Sequence, residues 1–282
     1  MDDLRERAER LYRTAQHSYG FSDAVFDREI TKMLDPAWQV HLFAAIEGAL
    51  GVPNFFSTPK SILEAGCGSG AFVTAALARG HDAWGVDLDS DRLAIGKARI
   101  DAFASPSEWK SRLQHGDASN TPFASNSFDV VLGHQFIEHV PDPGGTLAEL
   151  LRVTKSGGVV VLFAPDYRAP FEAHYEIPWP PFLSRHLCEA WLDGFDRPHG
   201  GLGDFFYATA PQVIAIFESL NCRITNAYND REIERQVWRH FDCTTVEATR
   251  ETARRFKRAF EARALPANFM APTSFGIVAQ KL

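Results

Sequence analysis

Three glycines alternate behind an acid in Glu64-Ala65-Gly66-Cys67-Gly68-Ser69-Gly70. Glycines spaced this way let a backbone approach a ligand closely, because no Cβ intervenes. Ile62 and Leu63, just before, read as a short buried strand, and a helix-like segment begins at Ala71. About twenty residues further on, the short strand Ala83-Trp84-Gly85-Val86 ends at Asp87, where a carboxylate can take the two hydroxyls of a ribose. The pair predicts a nucleotide-like cofactor lying across the ends of adjacent parallel strands. Gly66 to Ala71 also fits the dinucleotide fingerprint, so the glycines alone leave the cofactor open. Glu64, two residues before the first glycine, suits a ligand with a cationic amino end better than a pyrophosphate. The basic residue nearest the turn in sequence is Lys60, before the strand.

The elements that must position these residues follow from apolar spacing. Residues 1–52 read as helices, with Leu4, Ala8, Leu11 and Ala15 on one face and Trp38, Leu42, Ala45 or Ile46, and Leu50 on another. Tyr12, His17, Tyr19 and Phe21 cluster at the break between helices and suggest a lid, with Tyr19 against a substrate. From Ser61 the strand–helix alternation is regular, which predicts a doubly wound parallel sheet over a core at residues 53–164. Ser90 is the expected N-cap of the helix after Asp87. A third strand near Arg112-Leu113-Gln114-His115 leads to Asp117 and Ala118, and Asp117 can accept from an adenine amino group. In isolation Asp117 reads as a turn or cap residue; in register with Glu64 and Asp87 it reads as a ligand contact.

Downstream, Pro122-Phe123, a polar linker and Phe128-Asp129-Val130-Val131 precede a fourth strand, followed by Gly133-His134-Gln135-Phe136-Ile137-Glu138-His139-Val140. Lys155-Ser156-Gly157-Gly158 then turns into the wholly apolar Val159–Phe163, which suits a strand covered on both faces. With the Glu-x-Gly-x-Gly-x-Gly turn and the Glu-His-Val segment, residues 61–163 resemble the class I S-adenosylmethionine-dependent methyltransferases. The resemblance implies an α/β, Rossmann-like seven-stranded sheet with helices on both faces and a reversed last strand. It implies S-adenosylmethionine as cofactor and S-adenosylhomocysteine as product. It further implies Glu64, Gly66, Gly68 and Gly70 around the methionine end, Asp87 on the ribose and Leu88 beside the adenine. Asp117 and Ala118 would meet the adenine amino edge, and His134 the strand-four loop near the methionine.

Outside that stretch the composition changes. Residues 165–210 are rich in aromatics and, with Pro211, hold seven prolines, so they cannot form one long helix. They read as a cap over the cleft that supplies Tyr175 and Trp179 to the substrate. Residues 211–282 complete the core, with a helical insertion at about 230–265 whose apolar face includes Ile233, Val237, Phe241, Phe256 and Phe260.

Methyl transfer from a sulfonium needs alignment and exclusion of water, and a base where the acceptor is a hydroxyl or an ammonium. His174, then His139 and His199, are the candidate bases, since an imidazole titrates near neutrality. His134-x-x-x-Glu138-His139 matches no zinc-protease spacing, and no metal is expected. The function read from the chain is O-methylation of a small acceptor from a secondary-metabolite, sugar or lipid-linked pathway. N-methylation, a nicotinamide-dependent oxidoreductase and a non-catalytic cofactor-binding protein are the alternatives.

Composition excludes other classes. The 282 residues carry 29 Lys and Arg against 36 Asp and Glu, a formal charge of -7, without a strong basic run, which disfavours nucleic acid. The charged start resembles no signal peptide, no stretch is apolar enough for membrane insertion, and the four cysteines form no CxxC pair. The chain is expected in the cytoplasm, with a homodimer as one possible assembly.

Overall fold

The computed structural model describes residues 1–229, 241–266, 269–270 and 273–282. Three helices come first: α1 (Asp2–Tyr19), α2 (Asp23–Leu34) and α3 (His41–Leu50). α1 stops at Gly20, in the left-handed region at φ 68°, and Ser22 caps α2 by accepting from the Val25 amide. The pattern that placed Trp38 on the α3 face is corrected: Trp38 lies in the preceding turn, 38% exposed, and α3 buries Leu42, Phe43, Ile46 and Ala49 instead.

The sheet is built from β1 (Ser61–Ala65), β2 (Asp82–Asp87), β3 (Leu113–His115), β4 (Phe128–His134) and β5 (Thr154–Pro165). Between them run α4 (Ala71–Ala78), α5 (Ser90–Ala102) and α6 (Pro143–Val153). Asp89, not Ser90, caps α5: its side chain accepts from the amides of Asp91 and Arg92, and a carboxylate there also meets the positive end of the helix.

After β5 come the hairpin β6 (Phe171–Glu172) and β7 (Ile177–Pro178), then α7 (Arg185–Gly194) and α8 (Ala210–Ser219). The chain closes with β8 (Arg223–Asn229), α9 (Val246–Glu261) and β9 (Ser274–Gln280).

Strand order is β3-β2-β1-β4-β5-β9-β8, parallel except for β9, which runs antiparallel to β5 and β8. This is the seven-stranded sheet with a reversed last strand that the resemblance implies. Alternation along the strands divides the core. Ile62, Val130, Leu132 and Val161 pack with α3 and α4 on one face, and Leu63, Val131, Val160 and Leu162 pack with α6 and α8 on the other. Each fully buried side chain of this size contributes roughly 1.5–3 kcal/mol over exposure. The order reverses between β1 and β4, and open α/β sheets bind ligands outside the carboxyl ends of strands at such a point.

A third cluster is aromatic and lies outside the sheet. Trp191 of α7 packs on Phe241 and on Phe256 of α9, and donates from Nε1 to the Pro178 carbonyl at 2.8 Å. The helices touch closely: a Cβ on Gly194 would lie 2.3 Å from the Ala253 Cβ. α9 thus braces the segment after β5 from outside. Ile233 and Val237, expected on the same apolar face, lie outside the described residues. Among the described residues, no helix is long and apolar enough to cross a membrane.

Candidate functional site

A cavity of about 630 Å³ opens at the switch point, walled by α1, the glycine turn, the ends of β2 and β4, and the loop at Asp204. The turn is anchored by the Cys67 amide, which donates to the Val86 carbonyl at 3.0 Å. Gly66 has φ 66°, and a Cβ there would lie 2.4 Å from the Phe136 ring, so glycine is required on both counts. Gly68 also has positive φ, but a Cβ there would meet only Arg92 at 3.9 Å. Its open side is where a ligand can reach the backbone.

Asp87 joins turn and strand. Its Oδ2 accepts from the Gly68 amide at 2.6 Å and its Oδ1 from the Asp89 amide at 2.8 Å. Each oxygen keeps a lone pair for a diol, and the side chain lines the cavity. Leu88, 65% exposed, offers an apolar surface beside it, and Asp117 and Ala118 form the wall beyond.

Other predicted residues lie elsewhere. Glu64 is buried behind the turn and does not line the cavity. Burial and nearby Asp87 hold its carboxyl well above the usual range, and its Oε2 has no partner. Gly70 starts α4 and also lies off the wall. His134 shares a strand face with Val130 and Leu132, which directs it toward His41 of α3 and not into the cavity. Burial lowers its pKa to about 4.

The charge around the turn differs from what sequence proximity suggested. Arg92 of α5 lines the cavity beside Gly68, ion-paired with Asp89 at 3.3 Å. The first turn of α4 is not open to an anion along its whole rim, however, because Gln39 Oε1 accepts from the Phe72 amide at 2.9 Å. A buried guanidinium braces the turn from behind: Arg99 donates to the Ser69 carbonyl at 2.7 Å, to Ser69 Oγ at 3.2 Å and to the Met33 carbonyl at 3.3 Å.

At the far end β4 hands over to Gln135, a non-glycine residue at φ 52°, and the chain turns His139 onto the cavity wall. His139 Nδ1 lies 2.5 Å from the Asp204 carbonyl oxygen. A carbonyl only accepts, so Nδ1 carries the proton and Nε2 presents a lone pair. Burial, then the neighbouring His174, push the His139 pKa down to about 4, leaving the ring neutral at physiological pH. Tyr19 closes the same wall, its hydroxyl donating to Asp204 Oδ2 at 2.8 Å.

His174 lies one layer back. Its ring stacks between Tyr19 and Phe205, each centroid 5.6 Å away, and meets the His139 ring edge-on at 5.0 Å. Its Nδ1 is 2.6 Å from Glu172 Oε1. Burial opposes the imidazolium, but Glu172 and then Glu138 outweigh it, and the His174 pKa lies above its ordinary value. Tyr175 and Trp179 are corrections: both are buried in the aromatic cluster, where the apolar cost of exposing them decides their place, and neither lines the cavity. His199 is half-exposed, pairs with Asp193 at 3.0 Å and lies off the cavity wall.

Phe136, Asp204, Arg92, Glu172 and Glu138 were missed by sequence reasoning. Only two had a visible signal: Glu138 stands within the Glu-His-Val segment and Glu172 two residues before His174.

Comparison with known proteins fits this arrangement. Residues 63–162 match the methyltransferase domain family. An uncharacterized methyltransferase of Mycobacterium sp. strain KMS is 34% identical over 142 residues, covering 50% of this chain and 51% of that one. A ubiquinone biosynthesis O-methyltransferase of Nitrosomonas europaea is 29% identical, over 45% of this chain and 53% of that one. The chain thus spans about half the length of the curated relatives it matches. Among solved structures, phosphoethanolamine N-methyltransferase 2 of Haemonchus contortus, in complex with S-adenosyl-L-methionine, shares the fold. Its TM-score is 0.54 at 18% identity, over 86% of this chain and 52% of that one. Residues 63–162, which hold most of β1, the glycine turn, Asp87 and the Glu-His-Val segment, thus match a methyltransferase domain, on a seven-stranded sheet of the class I methyltransferase fold.

Proposed function

We propose that the chain transfers a methyl group from S-adenosylmethionine to a hydroxyl oxygen of a small biosynthetic acceptor. The observation that carries this reading is the fixed tautomer of His139, whose free Nε2 shares one cavity with Gly68 and Asp87. The residues fit the cofactor. Gly66 and Gly68 leave room for it, Asp87 has lone pairs for a ribose diol, and Leu88, Asp117 and Ala118 suit an adenine edge. Glu64 stands behind the turn and off the cavity wall, so it supports the turn and does not meet the cofactor's amino end.

When bound, S-adenosylmethionine supplies an electrophilic methyl carbon on a sulfonium. His139 Nε2 would take the acceptor's hydroxyl proton as the oxygen–carbon bond forms and the methyl–sulfur bond breaks, its electron pair staying on sulfur to leave S-adenosylhomocysteine, a role that contributes on the order of 10²–10⁴ in rate. α1, with Tyr19 tied to Asp204, walls the cavity against water, and close alignment supplies most of the remaining advantage. The Nitrosomonas europaea relative is a ubiquinone biosynthesis O-methyltransferase, which supports oxygen as the acceptor atom. N-methylation is the second reading, favoured by the carboxylates of Asp142 and Asp204 on the same wall, which suit an ammonium.

Calorimetric titration with S-adenosylhomocysteine, NAD and NADP tests the cofactor. Micromolar binding of the first alone is expected, and binding of a dinucleotide in its place overturns the reading. Transfer of labelled methyl to paired hydroxyl and amine acceptors then decides between oxygen and nitrogen.

A further inference from the structure

A second cavity, of about 260 Å³, lies between α4, α5 and the loop from Pro36 to Val40, and shares no lining residue with the first. Val40, Ile100, Phe103 and Trp109 give it apolar sides, and Phe103 stays 40% exposed. The proposed reaction uses none of them. Its volume falls just under the ~300 Å³ at which pockets for drug-sized ligands begin, so it has room for one ring with a short side chain.

The charge on its walls runs against that of the chain. Arg79 and Arg99 line the cavity and no Asp or Glu does, although acids outnumber bases by 36 to 29 in the whole sequence. Arg79 rests on the Phe43 ring, 3.9 Å from its centroid. Arg99 is only 2% exposed, and its three hydrogen bonds run from Nη1 and Nη2 to neutral acceptors, the Met33 carbonyl and Ser69. A guanidinium has five N–H donors, so among the described residues Nε and one Nη2 hydrogen of Arg99 stay unused. Burial lowers its pKa to about 10, which leaves it charged at neutral pH. The carboxyls that act on it are committed elsewhere: Glu64 is held well above the usual range, and Asp35 takes the Ala37 amide at 2.8 Å. A buried cation with spare donors and no anion in contact is an unfinished pair.

We propose that this cavity binds a small carboxylic acid with an apolar, ring-sized body, its carboxylate on Arg79 and Arg99, and that the bound acid steadies the glycine turn. A carboxylate matches the guanidinium fork, and the apolar walls take the organic body. Both supports of the turn reach this cavity. Arg99 donates to the Ser69 carbonyl at 2.7 Å, and the loop that forms one side carries Gln39, which receives the Phe72 amide at 2.9 Å. The acid would occupy the spare donors of Arg99, so its bonds to Ser69 remain and the support is held more firmly. The site stands on its own geometry; its effect on the cofactor rests on the methyltransferase reading.

The test is nuclear magnetic resonance on the full, nitrogen-labelled chain titrated with phenylacetate, with phenylacetamide and acetate as controls. Trp109→Phe assigns the Trp109 indole signal. That signal should move with a dissociation constant of about 1 mM or tighter. Binding should be about tenfold weaker for the neutral amide, and about fivefold weaker in Arg79→Gln. An unmoved Trp109 signal, or a response to the amide or to acetate as strong as to phenylacetate, overturns the site. The Gly68 and Ser69 amide signals should move in the same titration; if they stay still while Trp109 shifts, the action on the turn is overturned. Calorimetry should then show S-adenosylhomocysteine binding about fivefold tighter in saturating phenylacetate. Should S-adenosylhomocysteine not bind at all, the methyltransferase reading falls, and the Trp109 titration still decides the site.

Discussion

The two ends of the cavity are built in different ways. The end at the glycine turn is made largely of backbone: Gly66 and Gly68 set its shape, and Asp87 at the end of β2 accepts from two backbone amides, Gly68 in the turn and Asp89 two residues on. The end at His139 is made of side chains from distant parts of the chain. Asp204 reaches His139 across 65 residues and Tyr19 across 185, and Glu172 and Phe205 hold His174 from the segment after β5. Backbone geometry preserves a shape common to many proteins, whereas side-chain assembly leaves the acceptor free to differ.

The sharpest way to separate the ends is to remove the proposed base. His139→Ala should lower turnover by about 10²–10⁴ while leaving S-adenosylhomocysteine affinity within about twofold, read by initial rates and calorimetry. Equal losses in both would show that the two ends are not independent. Asp87→Ala should act in the opposite sense. It removes a charged acceptor, and cofactor affinity should fall by roughly 1–3 kcal/mol in the same titration. An unchanged affinity would remove Asp87 from the ribose. The smallest effect expected is from Tyr19→Phe, which deletes one hydroxyl between α1 and Asp204. Stability should drop by about 0.5–1.5 kcal/mol in denaturant melts, with the Michaelis constant for the acceptor moving more than that for the cofactor. A change confined to the cofactor would place Tyr19 at the wrong end.

This division also explains what the sequence made legible. The strand–helix alternation and the parallel sheet followed from short apolar runs and turn residues, because period and punctuation are local, whereas the reversed last strand came from the family resemblance. Gly66, Gly68, Asp87 and Asp117 could be expected on one wall, where the structure puts them, because a strand end fixes their position. Tyr175 and Trp179 were misplaced because an aromatic in a cap reads the same whether it faces a cavity or its own core; burial decides, and burial is a tertiary property. Arg92 was overlooked because 24 positions separate it from Gly68 in sequence while folding brings it beside that glycine. Asp204 had no local signal, since it acts by meeting a histidine 65 residues away.

Arg99 carries a further consequence. By donating at once to Ser69 in the glycine turn and to the last carbonyls of α2 through Met33, it makes the N-terminal helices part of the turn's support. Gln39 does the same from the next loop by receiving the Phe72 amide. Composition invites a cut near residues 52–53, yet a chain trimmed there would leave a buried guanidinium short of an acceptor and a helix amide unpaired beside the ligand. The segment that looks detachable is scaffolding for the glycine turn, through α2 and the loop that follows it.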